Sequence, residues 1–267
     1  MQTVTSKDGT KIAYDKTGQG PAVILVAGAM GTRSFGHADL AKLLSSSFTV
    51  YNYDRRGRGD STDTQPYAVE REIEDIEALI DEAYGTACLY GISSGACLVL
   101  EAAFRLGDKV NKIALYEPPY NSDPADRPIW QAYYTKLKDL VVAGQRGKAV
   151  EHFMKFLQVP DNMIEGMRKQ PMWPGLEAVA RTLIYDAQAM GVDTRAVPTE
   201  LAKKVKVPAL VMDGEETFAM YPFMRASADE LARALPNAKR QTLEGQRHDV
   251  SSEVLAPVLT KFFTQES

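Results

Sequence analysis

Short apolar runs recur along the chain, and most of them end in a turn-forming residue before a stretch with helical spacing. AVILVAG from Ala22, FTVYNYD from Phe48, ACLYG from Ala87, KIALYE from Lys112 and PALVMDG from Pro208 are too short for helices and read as buried strands. Between them REIEDIEALIDEAY places Ile73, Ile76, Leu79 and Ile80 three and four residues apart, with acids on the other face. That is the pattern of an amphipathic helix. SGACLVLEAAFRL is apolar on most sides, as a helix packed under a sheet would be, and ADELARAL and EVLAPVLTKFF supply two more. Strands alternating with helices predict an α/β fold with a mostly parallel sheet and flanking helices. The start differs: Asp8-Gly9 lies between two alternating segments, Thr3 to Ser6 and Lys11 to Tyr14, which predicts an antiparallel N-terminal hairpin.

The alternation is interrupted once. Between Glu117 and Val207 lie about ninety residues without a strand-like run. This predicts an inserted helical cap over residues 118–206 on a core of residues 1–117 and 207–267. Within it Val150, Phe153, Met154 and Leu157 fall on one helical face, and Trp130, Tyr133, Tyr134 and Trp173 add aromatic surface.

Composition narrows the function. Of 267 residues 45% are hydrophobic and 25% charged, ordinary values for a globular protein. The net charge of −4 with no basic run argues against nucleic acid or an anionic membrane as partner and favours a small neutral or apolar ligand. No signal-peptide core or membrane-length apolar stretch is visible, so a cytoplasmic location is expected. Cys88 and Cys97 fall in a predicted strand and helix, where cysteine acts as a small hydrophobe rather than half of a disulfide. The sequence carries no indication of oligomeric state.

The strand ACLYG runs directly into Gly91-Ile92-Ser93-Ser94-Gly95 and then into the apolar helix. A G-x-S-x-G string alone is weak, but between strand and helix it has the setting of a nucleophile elbow. Such a turn lifts Ser93 Oγ above the sheet and leaves the Ser94 N–H at a helix N-terminus, where negative charge is favoured.

With three further motifs, the chain resembles the α/β-hydrolase fold family over essentially its whole length. VAGAMG follows the third strand where the family has a His-Gly oxyanion turn, NYDRRGRGDS at residues 52–61 approximates D-x-R-G-x-G-x-S, and LEGQRHDV at residues 243–250 stands where the family places its histidine. The resemblance implies Ser93 as nucleophile, His248 as general base and the N–H groups of Ala29 and Ser94 as oxyanion hole. Ala27 replaces the usual histidine of the oxyanion turn, whose side chain is not a donor to the hole. His152 lies off the apolar face of its helix, and His37 reads as a helix-start or cavity-rim residue. Asp54, Arg55, Arg56, Arg58 and Asp60 could suggest an anion site, yet the family's turn here is structural.

The third triad member is the open question. Family members place a carboxylate three residues beyond the glycine after the seventh strand, and here that residue is Thr217. Glu117, at the end of the sixth strand, is the preferred substitute, since some relatives keep their acid there. Glu216, Glu215 and Asp213 remain alternatives. The implied activity is that of a cofactor-independent serine hydrolase acting on a carboxylic ester, lactone or thioester. Serine at the elbow argues against the epoxide-hydrolase and dehalogenase branches, and the lack of HGGG against one lipase-like branch. A lyase or perhydrolase on the same residues, and a non-catalytic ligand-binding protein on this scaffold, are the alternatives.

Overall fold

A computed structural model of the protein describes residues 1–265. The chain opens with β1 (Gln2–Thr5), β2 (Lys11–Thr17) and β3 (Ala22–Val26), then α1 (Ala38–Leu44), β4 (Thr49–Tyr53), α2 (Val69–Glu82), β5 (Ala87–Ile92), α3 (Ser94–Leu106) and β6 (Val110–Tyr116). Six helices follow: α4 (Asp126–Val142), α5 (Arg146–Phe156), α6 (Asp161–Arg168), α7 (Trp173–Val179), α8 (Leu183–Met190) and α9 (Thr199–Ala202). The chain then returns to the sheet with β7 (Ala209–Gly214), α10 (Thr217–Met220), α11 (Pro222–Ala234), β8 (Ala238–Leu243) and α12 (Ser252–Thr264).

The strands form one eight-stranded sheet in the order β1-β2-β4-β3-β5-β6-β7-β8. The N-terminal hairpin is antiparallel and joins the sheet through an antiparallel β2–β4 pair; all other pairs are parallel. Parallel strands need coverage on both faces, and here they have it. On one face Ile73, Ile76, Leu79 and Ile80 of α2 join Leu98 and Val99 of α3 against Ile24, Leu89 and Ile113. On the other, Leu40 and Leu44 of α1 and Leu255 and Leu259 of α12 pack on Leu25, Tyr90 and Met212. The helix α3, predicted as apolar on most sides, is almost wholly buried, because it runs beneath the sheet while α2 and α8 cover its flanks.

The helices between β6 and β7 build a third apolar cluster of their own, centred on Trp130, Leu137, Val150, Met154 and Leu183. The last part of this segment behaves differently. Val197, Ala202 and Val205 join the core beneath the sheet, since α9 packs on α3 and α11 rather than on the helices before it. Both cysteines are buried and unpaired. No described helix is long and apolar enough to cross a membrane.

Candidate active site

Ser93 stands at the junction of β5 and α3 with φ 56° and ψ −131°. Side chains avoid this backbone region at a cost of about 1–3 kcal/mol. Its surroundings hold the conformation. The Ser93 N–H donates to the Tyr116 carbonyl at 2.9 Å, and the Ser93 carbonyl accepts from the Ala96 N–H at 2.9 Å. The flanking glycines are required by contact: a Cβ on Gly91 would lie 2.5 Å from the Gly95 oxygen, and one on Gly95 would lie 2.3 Å from the Val26 oxygen. Small residues on both sides of the serine are thus a packing necessity of bringing α3 this close to β3 and β5.

The end of β6 connects this turn to the histidine loop. Tyr116, whose carbonyl receives the Ser93 N–H, also donates its hydroxyl to the Arg247 carbonyl at 2.5 Å. The next residue, Glu117, is fully buried and is held with φ 47°. Its Oε2 lies 2.6 Å from Nδ1 of His248, and its Oε1 accepts the Gly214 N–H at 2.8 Å. A carboxylate is acceptor-only, so the proton of this contact sits on Nδ1, leaving Nε2 as the basic nitrogen. β6 lies between β5 and β7, and its C-terminal end therefore reaches both the serine turn and the loop after β8.

The other acids are engaged elsewhere. Asp213 is buried and pairs with Arg240 at 2.8 Å and Arg225 at 3.4 Å. Glu216 pairs with Arg247 at 2.7 Å on the surface, and Glu215 accepts the Gly245 N–H at 3.1 Å. Thr217 opens α10 with its hydroxyl buried and without a hydrogen-bond partner among the described residues.

Ala29 and Ser94 both border the chamber that holds Ser93 and His248. Arg58 donates to the Gly28 carbonyl at 2.6 Å, and Arg55 to the Ala27 carbonyl at 3.1 Å. A trans peptide points its C=O and N–H in opposite directions, so the Ala29 N–H is turned away from Arg58. The Gly28 backbone is also pressed close to the serine, for a Cβ there would lie 3.0 Å from Ser93 Cβ.

The arginines of NYDRRGRGDS are saturated from within. Arg55, Arg56 and Arg58 are fully buried; Arg55 takes Glu72 through two bonds of 2.7 Å, and Arg56 takes Asp75 at 2.7 and 2.8 Å. Arg58 takes both oxygens of Asp186 at 2.7–2.8 Å, and Arg55 reaches the same carboxylate at 2.7 Å. Burial opposes ionisation of Asp186, but Arg58 and Arg55 outweigh it and hold its carboxyl below the usual range. Ser94 Oγ donates to the same Asp186 oxygen at 2.7 Å. Sequence reasoning missed Asp186. The available signal was a single carboxylate in the otherwise uncharged run LIYDAQAM, where an acid in an apolar helix calls for a buried partner.

The two other histidines are accounted for by packing. His37 precedes α1, borders the chamber and lies against Tyr90 with ring centroids 5.4 Å apart; burial pushes its imidazole down to about 4, so it is neutral. His152 stacks on Tyr133 and contacts the Tyr133 carbonyl at 3.1 Å. The chamber itself measures about 840 Å³. Its upper wall comes from Trp130, Tyr133, Phe153, Phe156, Leu183 and Met190. Asp126 and Arg195 also border it but pair with each other through two bonds of 2.7 Å.

A doubly covered sheet with a serine turn and a histidine loop bordering one chamber, and a buried strand-end glutamate on the histidine, defines a hydrolase scaffold. The chain belongs to the alpha/beta hydrolase family, whose model matches residues 23–257. A solved α/β hydrolase from Sphaerobacter thermophilus is similar over 98% of this chain and 100% of its own, with 49% identity and a TM-score of 0.86. An uncharacterized hydrolase of Bacillus subtilis, YraK, is 32% identical over 114 residues, which are 41% of this chain and 42% of that protein. The match thus spans less than half of that curated relative. The esterase RhEst1 from Rhodococcus shares the fold, with a TM-score of 0.67 and 18% identity over 100% of this chain and 99% of its own.

Proposed function

We propose that this hydrolase cleaves a small to medium, uncharged carboxylic ester, lactone or thioester through an acyl-enzyme on Ser93. The observation that carries the reading is the 2.6 Å contact between Glu117 Oε2 and His248 Nδ1 beside a serine held in a strained turn. His248 Nε2 takes the Ser93 proton as Oγ attacks the carbonyl carbon. The oxyanion that forms is met by the Ala29 and Ser94 N–H groups. On collapse, the bond to the leaving oxygen, or to sulfur in a thioester, breaks, that atom takes the proton from His248, and the acyl group stays on Ser93. A water molecule then repeats the sequence, giving its proton to His248 and releasing the acid. Glu117 holds the imidazole tautomer and offsets the imidazolium charge in both halves.

The helices from α4 to α8 act in this reading as the cap over the chamber. An uncharged substrate fits because the buried charges at the wall are neutralised, Asp126 by Arg195 and Asp186 by Arg58, which leaves the exposed Asp249 as the free acid bordering the chamber among the described residues; about 840 Å³ lies within the range of ligand pockets. The test is a panel of short and medium p-nitrophenyl esters with wild type and Ser93→Ala, alongside labelling by a fluorophosphonate. Wild type is expected to turn over at least one ester and to be labelled at Ser93, and the variant to do neither. Equal inactivity of both proteins with Ser93 unlabelled would overturn the proposal.

A further inference from the structure

The two donors assigned to the oxyanion hole come from segments far apart in sequence, the turn after β3 and the start of α3. One carboxylate joins them. Asp186 Oδ1 accepts from Ser94 Oγ at 2.7 Å, fixing the first residue of α3, and both Asp186 oxygens grip Arg58. Arg58 in turn holds the Gly28 carbonyl at 2.6 Å, which sets the direction of the Ala29 N–H. The Ser94 N–H is directed likewise, because the Ser93 carbonyl of its own peptide is turned into the helix toward Ala96. Asp186 therefore stands one bond from one donor residue and two bonds from the other.

We propose that Asp186 is a positioning residue for the oxyanion hole, delivered by α8, that aligns the Ala29 and Ser94 N–H groups on a common point. The proposal rests on the reading of Ser93 as nucleophile and of these two N–H groups as the hole. It assigns α8 a function beyond covering the chamber: the hole is held together by a side chain from the segment between β6 and β7. Arg58 adds an electrostatic effect, since a guanidinium on the Gly28 oxygen polarises that peptide and makes its N–H a stronger donor. Thr182 accepts from Arg58 Nε at 3.0 Å and Glu72 takes Arg55, so altering Asp186 loosens the Nη end of Arg58 that holds Gly28 without leaving either guanidinium wholly unpartnered.

The test uses Asp186→Asn and Ser94→Ala, each with an oxoester and its thionoester counterpart, in which sulfur replaces the carbonyl oxygen and accepts hydrogen bonds poorly. Binding of a boronic acid, which forms a tetrahedral adduct on the serine, is measured in parallel. Misaligning a donor is expected to lower kcat on the oxoester up to the roughly 100- to 1,000-fold lost when one such donor is removed. KM and thionoester turnover should change little, and boronate affinity should fall with kcat. A merely structural role would depress both esters alike. Should Asp186→Asn fail to fold, Ser94→Ala decides, because it leaves every arginine pair intact; a loss of about tenfold confined to the oxoester is expected there. Oxoester kcat and boronate affinity at wild-type levels in the folded variants would overturn the proposal. Ser93→Ala in the same assay separates the two readings: if it is as active as wild type, the nucleophile assignment falls and the positioning role with it.

Discussion

Replacing Glu117 by Gln tests the third member of the site at its most sensitive atom pair. The native carboxylate accepts twice, from the Gly214 N–H at 2.8 Å and from His248 Nδ1 at 2.6 Å. An amide has one accepting oxygen and one NH₂. If the oxygen stays with Gly214, the NH₂ faces Nδ1, which must then be unprotonated, and Nε2 carries the proton and ceases to be a base. If the oxygen turns to His248, two buried donors face each other at Gly214, a loss of about 1–3 kcal/mol. In either orientation the negative charge is gone. Charges about 4 Å apart at an effective dielectric of about 20 interact by about 4 kcal/mol, which is the stabilisation withdrawn from the imidazolium. At 1.36 kcal/mol per decade, kcat should fall by about a thousandfold. The assay is turnover of the best p-nitrophenyl ester from the panel, with circular dichroism and thermal melting to verify folding. Glu216→Gln serves as the contrast and should stay within about twofold, since that carboxylate meets only the exposed Arg247. Folded Glu117→Gln retaining more than about a fifth of wild-type kcat would refute the assignment.

The strain at Ser93 predicts a stability difference between two variants at that position. Ser93→Gly should be more stable than Ser93→Ala by about 1 kcal/mol, the roughly 1–3 kcal/mol of relieved strain less about 1 for the freedom glycine regains on unfolding. That corresponds to about 2–4 °C in Tm, and equal melting temperatures would argue against strain at this turn. His37 predicts a pH effect. Its imidazole drops from 6.5 to about 4 on burial, so the unfolded chain binds the proton more readily between those values. The stability tied to neutral His37 is complete above pH 6.5 and is lost as pH falls toward 4, up to about 3 kcal/mol. Urea midpoints at pH 7 and pH 4.5 should therefore differ less in His37→Phe than in wild type, and an equal difference would refute the reasoning.

Much of the scaffold was legible because it follows from short-range rules. The spacing of Ile73, Ile76, Leu79 and Ile80 predicts α2, and Asp8-Gly9 predicts the β1–β2 hairpin; both are present. The strand–GISSG–helix order placed Ser93 at a turn whose glycines proved to be in unavoidable contact. The segment before β7 was less legible. Its final turn, α9, reads as part of the insertion, yet its apolar side packs beneath the sheet, a choice made by which surface lay within reach.

The charged groups divide the same way. Arg55, Arg56 and Arg58 appear in sequence as a cationic cluster, while in the fold each guanidinium faces acids contributed by other elements. Spacing cannot show such pairs, because Arg58 and Asp186 are 128 residues apart. Nor can it choose among Glu117, Asp213, Glu215 and Glu216, which all lie at or just beyond the C-terminal ends of the neighbouring strands β6 and β7.

The sequence by itself determined the alternation of strands and helices, the turn that presents Ser93 and the late position of His248, since periodicity, turn stereochemistry and chain order are local properties. Only the tertiary structure decided which carboxylate touches His248 and which one ties the serine helix to the turn after β3. The Glu117–His248 contact spans 131 residues and depends on β6 lying between β5 and β7. A hydrogen bond of 2.6 Å is set by where two strand ends and a loop finally meet, and no pattern along the chain encodes that distance.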